Sequence, residues 1–95
     1  ALKMEDATVT GAVDVVIVPG VAFDRHCQRL GHGKGYYDSF LTRLQKRRSE
    51  LSLPPAQTIG LALEEQLVAS IPVESHDVPL DFVITPSQVF RRSKE

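Results

Sequence analysis

Gly31, Gly33 and Gly35 alternate with His32 and Lys34, and Tyr36, Tyr37 and Asp38 follow without a gap. Glycines have no Cβ, so their backbone N–H groups can converge on an anion. A helix starting at Gly35 adds its unpaired N–H donors and the positive end of its dipole. Lys34 supplies a mobile positive charge and Arg29 a second one close by. The chemistry this grouping suits is phosphate binding. It is not a P-loop, because no G-x-x-x-x-G-K-[ST] is present, and it fails the dinucleotide fingerprint G-x-G-x-x-G because Tyr36 stands in the last glycine's place. A plain glycine turn ahead of a helix is the bland alternative and, with the glycines alone, the commoner one. Lys34, Arg29 and the helix start tip the balance towards an anion.

Asp38 falls at the third helical position, where a carboxylate can cap backbone N–H groups, and that structural role is its simplest reading. A polyphosphate at the same helix start would be repelled by this carboxylate unless a cation joined them. Mg²⁺ prefers one or two carboxylates together with phosphate oxygens, so Asp38 is a metal-ligand candidate. Asp77, in a loop just before an apolar run, is the second. Tyr36 and Tyr37 are adjacent and point about 100° apart on a helix, so one packs inward while the other can face the site. Tyr36 pairs by spacing with Phe40, and Tyr37 with Leu41. His26, His32 and His76 are not at metal-binding spacing, and the single cysteine, Cys27, has no nucleophilic partner nearby in sequence. It reads as an ordinary loop thiol.

The elements that must position these residues follow from periodicity. Asp14 to Val18 is a β-branched run closed by Pro19-Gly20, the pattern of a parallel strand buried on both faces. Val21 to Lys34 reads as one long loop, and long loops in small domains tend to be functional. From Gly35 to about Ser49, Tyr36, Phe40 and Leu44 recur at i, i+4 and i+8, giving a helix with one apolar face. Arg43, Lys46, Arg47 and Arg48 sit in its last turns, where cations complement the dipole, and they read as a solvated end. Pro54-Pro55 ends the helix. Thr58 to Leu63 is a second strand, with Gly60 allowing a close neighbour. Glu64 to Ser70 suggests a short helix and Leu80 to Thr85 a third strand. Residues 1–12 read as a connecting segment and 87–95 as a polar, frayed tail. The alternation predicts an α/β fold with a mostly parallel sheet, whose ligands bind beyond the carboxyl ends of the strands, the edge from which the Gly20 to Lys34 loop leaves.

Ninety-five residues allow one domain or part of one. Eleven basic against twelve acidic residues leave a net charge of -1, so no bulk field recruits nucleic acid or an anionic membrane, and any anion site must be local. No apolar run approaches the length of a membrane span. One cysteine cannot form an internal disulfide, which fits a reducing compartment. The chain does not begin with methionine, and three strands alone would leave exposed sheet edges. Both features suggest a fragment or one half of a longer chain.

Three segments in order, PGVAFD (Pro19 to Asp24), RLGHGKGYYD (Arg29 to Asp38) and HDVPLDFVIT (His76 to Thr85), closely resemble 5-formyltetrahydrofolate cyclo-ligase, also called methenyltetrahydrofolate synthetase. The resemblance covers nearly all of this chain but only the C-terminal half of the family's usual sequence. It implies a three-layer α/β/α Rossmann-like fold, of which this chain would be the C-terminal half. It also implies ATP- and Mg²⁺-dependent conversion of 5-formyltetrahydrofolate into 5,10-methenyltetrahydrofolate through a phosphorylated formyl group, releasing ADP and phosphate. Arg29, Leu30, Gly31, His32, Gly33, Lys34, Gly35, Tyr36 and Tyr37 would contact ATP. His32, Gly33, Lys34, Gly35 and Tyr36 would lie near the folate, Lys34 and Tyr36 would be catalytic, and Asp38 and Asp77 would hold Mg²⁺. The expected partners are these small molecules, with neither nucleic acid nor membrane, for a monomer in the cytoplasm or mitochondria. The family's N-terminal half supplies a basic ATP-binding segment and much of the folate pocket. Without it the chain by itself is expected to be inactive, and a non-catalytic nucleotide- or folate-binding or interaction module is the alternative reading.

Overall fold

A computed structural model describes residues 10–31, 35–73 and 78–92. Strand β1 (Val15–Ile17) leads into a two-stranded ribbon, β2 (Ala22–Phe23) and β3 (Arg29–Leu30). Helix α1 (Tyr36–Glu50), strand β4 (Gln57–Leu61), a 3-10 turn (Glu64–Gln66) and strands β5 (Phe82–Ile84) and β6 (Val89–Arg91) follow. The main sheet has the order β1-β4-β5-β6. Strand β4 runs parallel to both β1 and β5, pairing Val16 with Thr58 and Gly60 with Val83, and β6 returns antiparallel to β5. The mostly parallel α/β sheet expected from the sequence is present, and no helix among the described residues is long and apolar enough to cross a membrane.

The helix forms because Phe40, Leu41 and Leu44 make one stripe, and all three are buried. Burying each such side chain contributes about 2 kcal/mol, well above the propensity differences along the helix. They pack with Val16, Val18, Phe23, Cys27, Leu80 and Val83 on one face of the sheet. Gly60 lies where a Cβ would come within 2.5 Å of the Phe23 ring and 2.8 Å of Leu80, the close approach its position suggested. Helix α1 ends before the prolines. The N–H of Ser52 donates to the Ser49 carbonyl and that of Leu53 to the Arg48 carbonyl, a Schellman closure with Ser52 left-handed at φ 58.

Several expectations change. Strand β1 is buried on one face only: Val16 and Val18 point inward, while Val15 and Ile17 are about half exposed at 48% and 52%. The described helix and ribbon cover one side of the sheet, and an unbroken run of β-branched residues cannot reveal which face has a cover. The Val21 to Lys34 stretch is not a plain loop but carries the β2–β3 ribbon, organised by Asp24. This buried carboxylate accepts the N–H groups of His26 (2.9 Å) and Gln28 (3.0 Å) through Oδ1 and that of Ile71 (2.9 Å) through Oδ2. An Asx-type turn reverses the chain there. Cys27 lies in the loop of the ribbon, as expected, but is fully buried in the core at φ 66. Arg48 leaves the solvated helix end for the interior: its guanidinium donates to the carbonyls of Pro54 (2.6 Å), Gly11 (2.8 Å) and Val13 (2.9 Å). The helix expected over 64–70 is a single 3-10 turn followed by extended chain in which Val68 donates to Phe23. The segment read as a frayed tail supplies β6, anchored by Asp81, whose carbonyl accepts the Arg92 N–H and whose carboxylate pairs with the Arg92 guanidinium at 3.0 Å.

Candidate functional site

Where β1 ends, Pro19-Gly20 sends the chain into the ribbon, and β3 brings it back through Arg29 towards the start of α1. The Arg29 side chain is 7% exposed. Its Nη1 donates to the Pro19 carbonyl at 3.1 Å, its guanidinium lies 5.6 Å from the centre of the Tyr37 ring, and Nη2 is 3.6 Å from Asp38 Oδ1. Three elements therefore meet at one group: the carboxyl end of β1, the ribbon and the first turn of the helix. The floor beneath it is glycine. A Cβ on Gly31 would stand 2.5 Å from Arg29 Nη1, and one on Gly20 would stand 2.9 Å from Arg29 Cγ.

The helix begins at Gly35, which is left-handed at φ 63 and makes no side-chain cap, having none to make. A non-glycine residue would be strained there by its backbone alone, because a Cβ would meet nothing within 4 Å. Asp38 stands at the third position of the helix. It is a partly exposed anion in the first turn, favoured by the dipole and paired with Arg29. A hard oxygen donor of this kind fits a hard cation such as Mg²⁺, with phosphate oxygens and water completing the shell. No group of three or more His, Cys, Asp or Glu side chains that could cage a metal occurs among the described residues.

Of the expected site residues, Arg29, Gly31, Tyr37 and Asp38 come together at this corner. Tyr37 is half-buried and packs on the core, as one of the two tyrosines had to. Leu30 contributes its backbone, accepting the Val21 N–H at 2.7 Å, while its side chain stays half exposed. Gly35 and Tyr36 form the helix start. His32, Gly33, Lys34 and Asp77 lie outside the described residues, as does the Tyr36 side chain. Sequence reasoning did not single out the Pro19 carbonyl as the seat of Arg29. The only signal was a proline and a glycine directly after a buried strand, with an arginine ten residues on.

Two titratable groups beyond this corner are perturbed by their surroundings. Burial, with the Asp24 carboxylate as a second cause, pushes the Cys27 thiol up, so it is a poor nucleophile. Hydrogen bonding from Ser87 to Glu64, 2.6 Å from the hydroxyl, holds that carboxyl below its usual range.

Comparison with known proteins gives a consistent result. The model of the 5-formyltetrahydrofolate cyclo-ligase family matches residues 2–86. A probable 5-formyltetrahydrofolate cyclo-ligase of Caenorhabditis elegans is 48% identical over 82 residues, which is 86% of this chain and 38% of the relative. The 5-formyltetrahydrofolate cyclo-ligase of Escherichia coli K12 is 42% identical over 89 residues, 94% of this chain and 45% of the relative. Among solved structures, the Aquifex aeolicus 5,10-methenyltetrahydrofolate synthetase superimposes with a TM-score of 0.65 at 36% identity, covering 99% of this chain and 42% of that one. A Mycoplasma pneumoniae 5,10-methenyltetrahydrofolate synthetase gives 0.60 at 34% identity. The chain thus spans less than half the length of these relatives.

Proposed function

The chain belongs to the 5-formyltetrahydrofolate cyclo-ligase family, and from that premise we propose that it carries the nucleotide- and metal-facing part of a site that converts 5-formyltetrahydrofolate into 5,10-methenyltetrahydrofolate at the expense of ATP. The observation that carries the reading is the corner where Arg29, Tyr37 and Asp38 meet at the carboxyl end of β1 and the first turn of α1. Open α/β sheets bind ligands at that edge.

In this reading Arg29 to Tyr37 bind the nucleotide. The orphan N–H groups at the start of α1 face its phosphates, and the Arg29 guanidinium, which presents fixed forked donors, orients them. Lys34 and Tyr36 act on the reacting groups, with His32, Gly33 and Gly35 beside the folate. Asp38, with Asp77, would hold Mg²⁺, which when bound neutralises charge on the transferring phosphoryl group. Phosphoryl transfer to the weakly nucleophilic formyl oxygen depends on positioning and charge neutralisation more than on covalent chemistry by the protein. Phosphorylation makes that oxygen a leaving group, so that N10 of the folate can close onto the carbon as phosphate departs.

The relatives' additional length would provide the remaining pocket wall, and a chain of this length by itself is expected to form no product. Production of methenyltetrahydrofolate by the isolated 95-residue chain with ATP and Mg²⁺, followed by absorbance, would contradict that expectation. In a protein with the complete site, Asp38→Asn is expected to raise the Mg²⁺ concentration needed for activity while leaving the unfolding midpoint nearly unchanged. An unaltered Mg²⁺ dependence would return Asp38 to a purely electrostatic role at the helix end. The second reading is a non-catalytic binding module. Calorimetric binding of ATP or folate without turnover, even when the missing length is supplied, would select it.

A further inference from the structure

Arg29 is nearly buried, yet its guanidinium makes only one hydrogen bond to the described residues, to the Pro19 carbonyl at 3.1 Å. Its approach to Asp38, 3.6 Å, is within ion-pair range but beyond a well-formed hydrogen bond. The arm is thus anchored at one nitrogen and held to the carboxylate by charge alone. We propose that Arg29 is the exchangeable counter-ion of Asp38, so that the site takes a divalent cation together with a polyphosphate and resists the cation by itself. The proposal rests on the reading of Asp38 as a metal ligand.

The physical argument concerns competition. A carboxylate already neutralised by a guanidinium has little potential left to attract Mg²⁺, and the guanidinium repels a second cation brought close to it. An arriving polyphosphate changes this balance. Its oxygens accept bidentate bonds from a guanidinium better than a carboxylate at 3.6 Å does, so Arg29 turns to the phosphate and Asp38 becomes free for the metal. The local build permits the turn. Gly31 and Gly20 leave the arginine room that a Cβ would occupy, and the Tyr37 ring supports the guanidinium in place of a second rigid hydrogen bond. Arg29 acts here as a positioning residue for the metal, through Asp38.

The test measures Mn²⁺ binding by electron paramagnetic resonance to a protein that carries this chain in a complete site, with and without a non-hydrolysable ATP analogue. Wild type should bind Mn²⁺ weakly unless the analogue is present. Arg29→Met should tighten binding of Mn²⁺ alone by on the order of tenfold, since one nearby positive charge is gone, and should shrink the gain brought by the analogue. Arg29→Lys, which keeps the charge, should leave Mn²⁺ alone weakly bound. Damage to a purely structural arginine would loosen the site and weaken metal binding, the opposite sign. If Arg29→Met leaves Mn²⁺ binding unchanged or weaker while Asp38→Asn abolishes it, the exchange is wrong and the metal assignment stands. If Asp38→Asn has no effect either, or if wild type binds no Mn²⁺ with the analogue, the metal reading fails and takes the exchange with it. Should Arg29→Met not fold, the Arg29 Nε–H nuclear magnetic resonance signal of the wild-type protein decides: it should shift with the analogue and not with Mg²⁺ alone, and an equal shift with Mg²⁺ alone would overturn the proposal.

Discussion

At the scale of single residues, the charges that matter are those whose surroundings the chain order hides. Arg48 and Arg29 are both basic residues, one in the last turns of the helix and one in the stretch that leads into it. One proves to be a structural bolt and the other the charged arm of the candidate site. The ion pair of Arg48 with Asp14, 3.0 Å apart, joins a buried guanidinium to a carboxylate that is 83% exposed. The carbonyls of Gly11, Val13 and Pro54 carry the interaction instead. Arg48→Met is expected to destabilise the chain by about 3 kcal/mol, because those acceptors remain with no donor, whereas Asp14→Asn should cost less than about 0.5 kcal/mol. Urea unfolding of both variants measures the contrast, and equal losses would mean that the ion pair dominates. Cys27 supplies a pH prediction. Its folded-state pKa is raised, so the native state retains the proton that the unfolded chain releases, and stability falls as pH climbs from the unfolded thiol's pKa towards the folded one. Below that window the contribution is fully present. Urea midpoints of wild type should therefore decline more steeply on the alkaline side than those of Cys27→Ala, and parallel declines would place the cause elsewhere.

At the scale of elements, the two ends of α1 use the same left-handed conformation with different residues. Gly35 adopts φ 63 without strain, while Ser52 adopts φ 58 and bears it. Ser52→Gly is expected to stabilise the chain by up to about 1 kcal/mol, the strain it removes being partly offset by the freedom glycine adds to the unfolded state. Gly35→Ala is expected to cost a similar amount, measured by thermal unfolding. A stabilising alanine at 35 would show that the helix start is not held left-handed in solution. The helix itself, its apolar stripe and its approximate ends were legible because a 3.6-residue period is a local signal. The β2–β3 ribbon was not, since each strand is two residues long and its turn depends on Asp24 reaching Ile71. Strand β6 was missed for a related reason. Val89 to Arg91 is short and mixed, and its extended form depends on pairing with β5 and on the hold of Asp81 on Arg92.

At the scale of the whole molecule, the described helix and ribbon cover only one face of the sheet. Val15, Ile17, Leu61 and Val89 are exposed on alternating positions of β1, β4 and β6, opposite the side that carries Val16, Thr58, Gly60 and Val83. Proteins that span more than twice this length have more polypeptide with which to cover such a face. In the isolated chain, Ile17→Lys is expected to change the unfolding free energy by less than about 0.5 kcal/mol, the usual limit for exposed positions, and to reduce binding of a hydrophobic dye. A loss of several kcal/mol would show that Ile17 is packed in solution.

The sequence by itself determined the α/β alternation, the parallel strands and the helix, because hydrophobic periodicity is set by neighbours a few residues apart. It also determined the family, through three segments whose order and spacing are conspicuous in the linear chain. It pointed to the Arg29–Asp38 stretch as the place for an anion and a metal. Only the tertiary structure decided which arginine is buried as a bolt, which face of the sheet the described helix and ribbon cover, and that Asp38 faces Arg29. Each of those outcomes depends on groups that meet across turns and between strands, and such meetings are set by the packing of the whole chain.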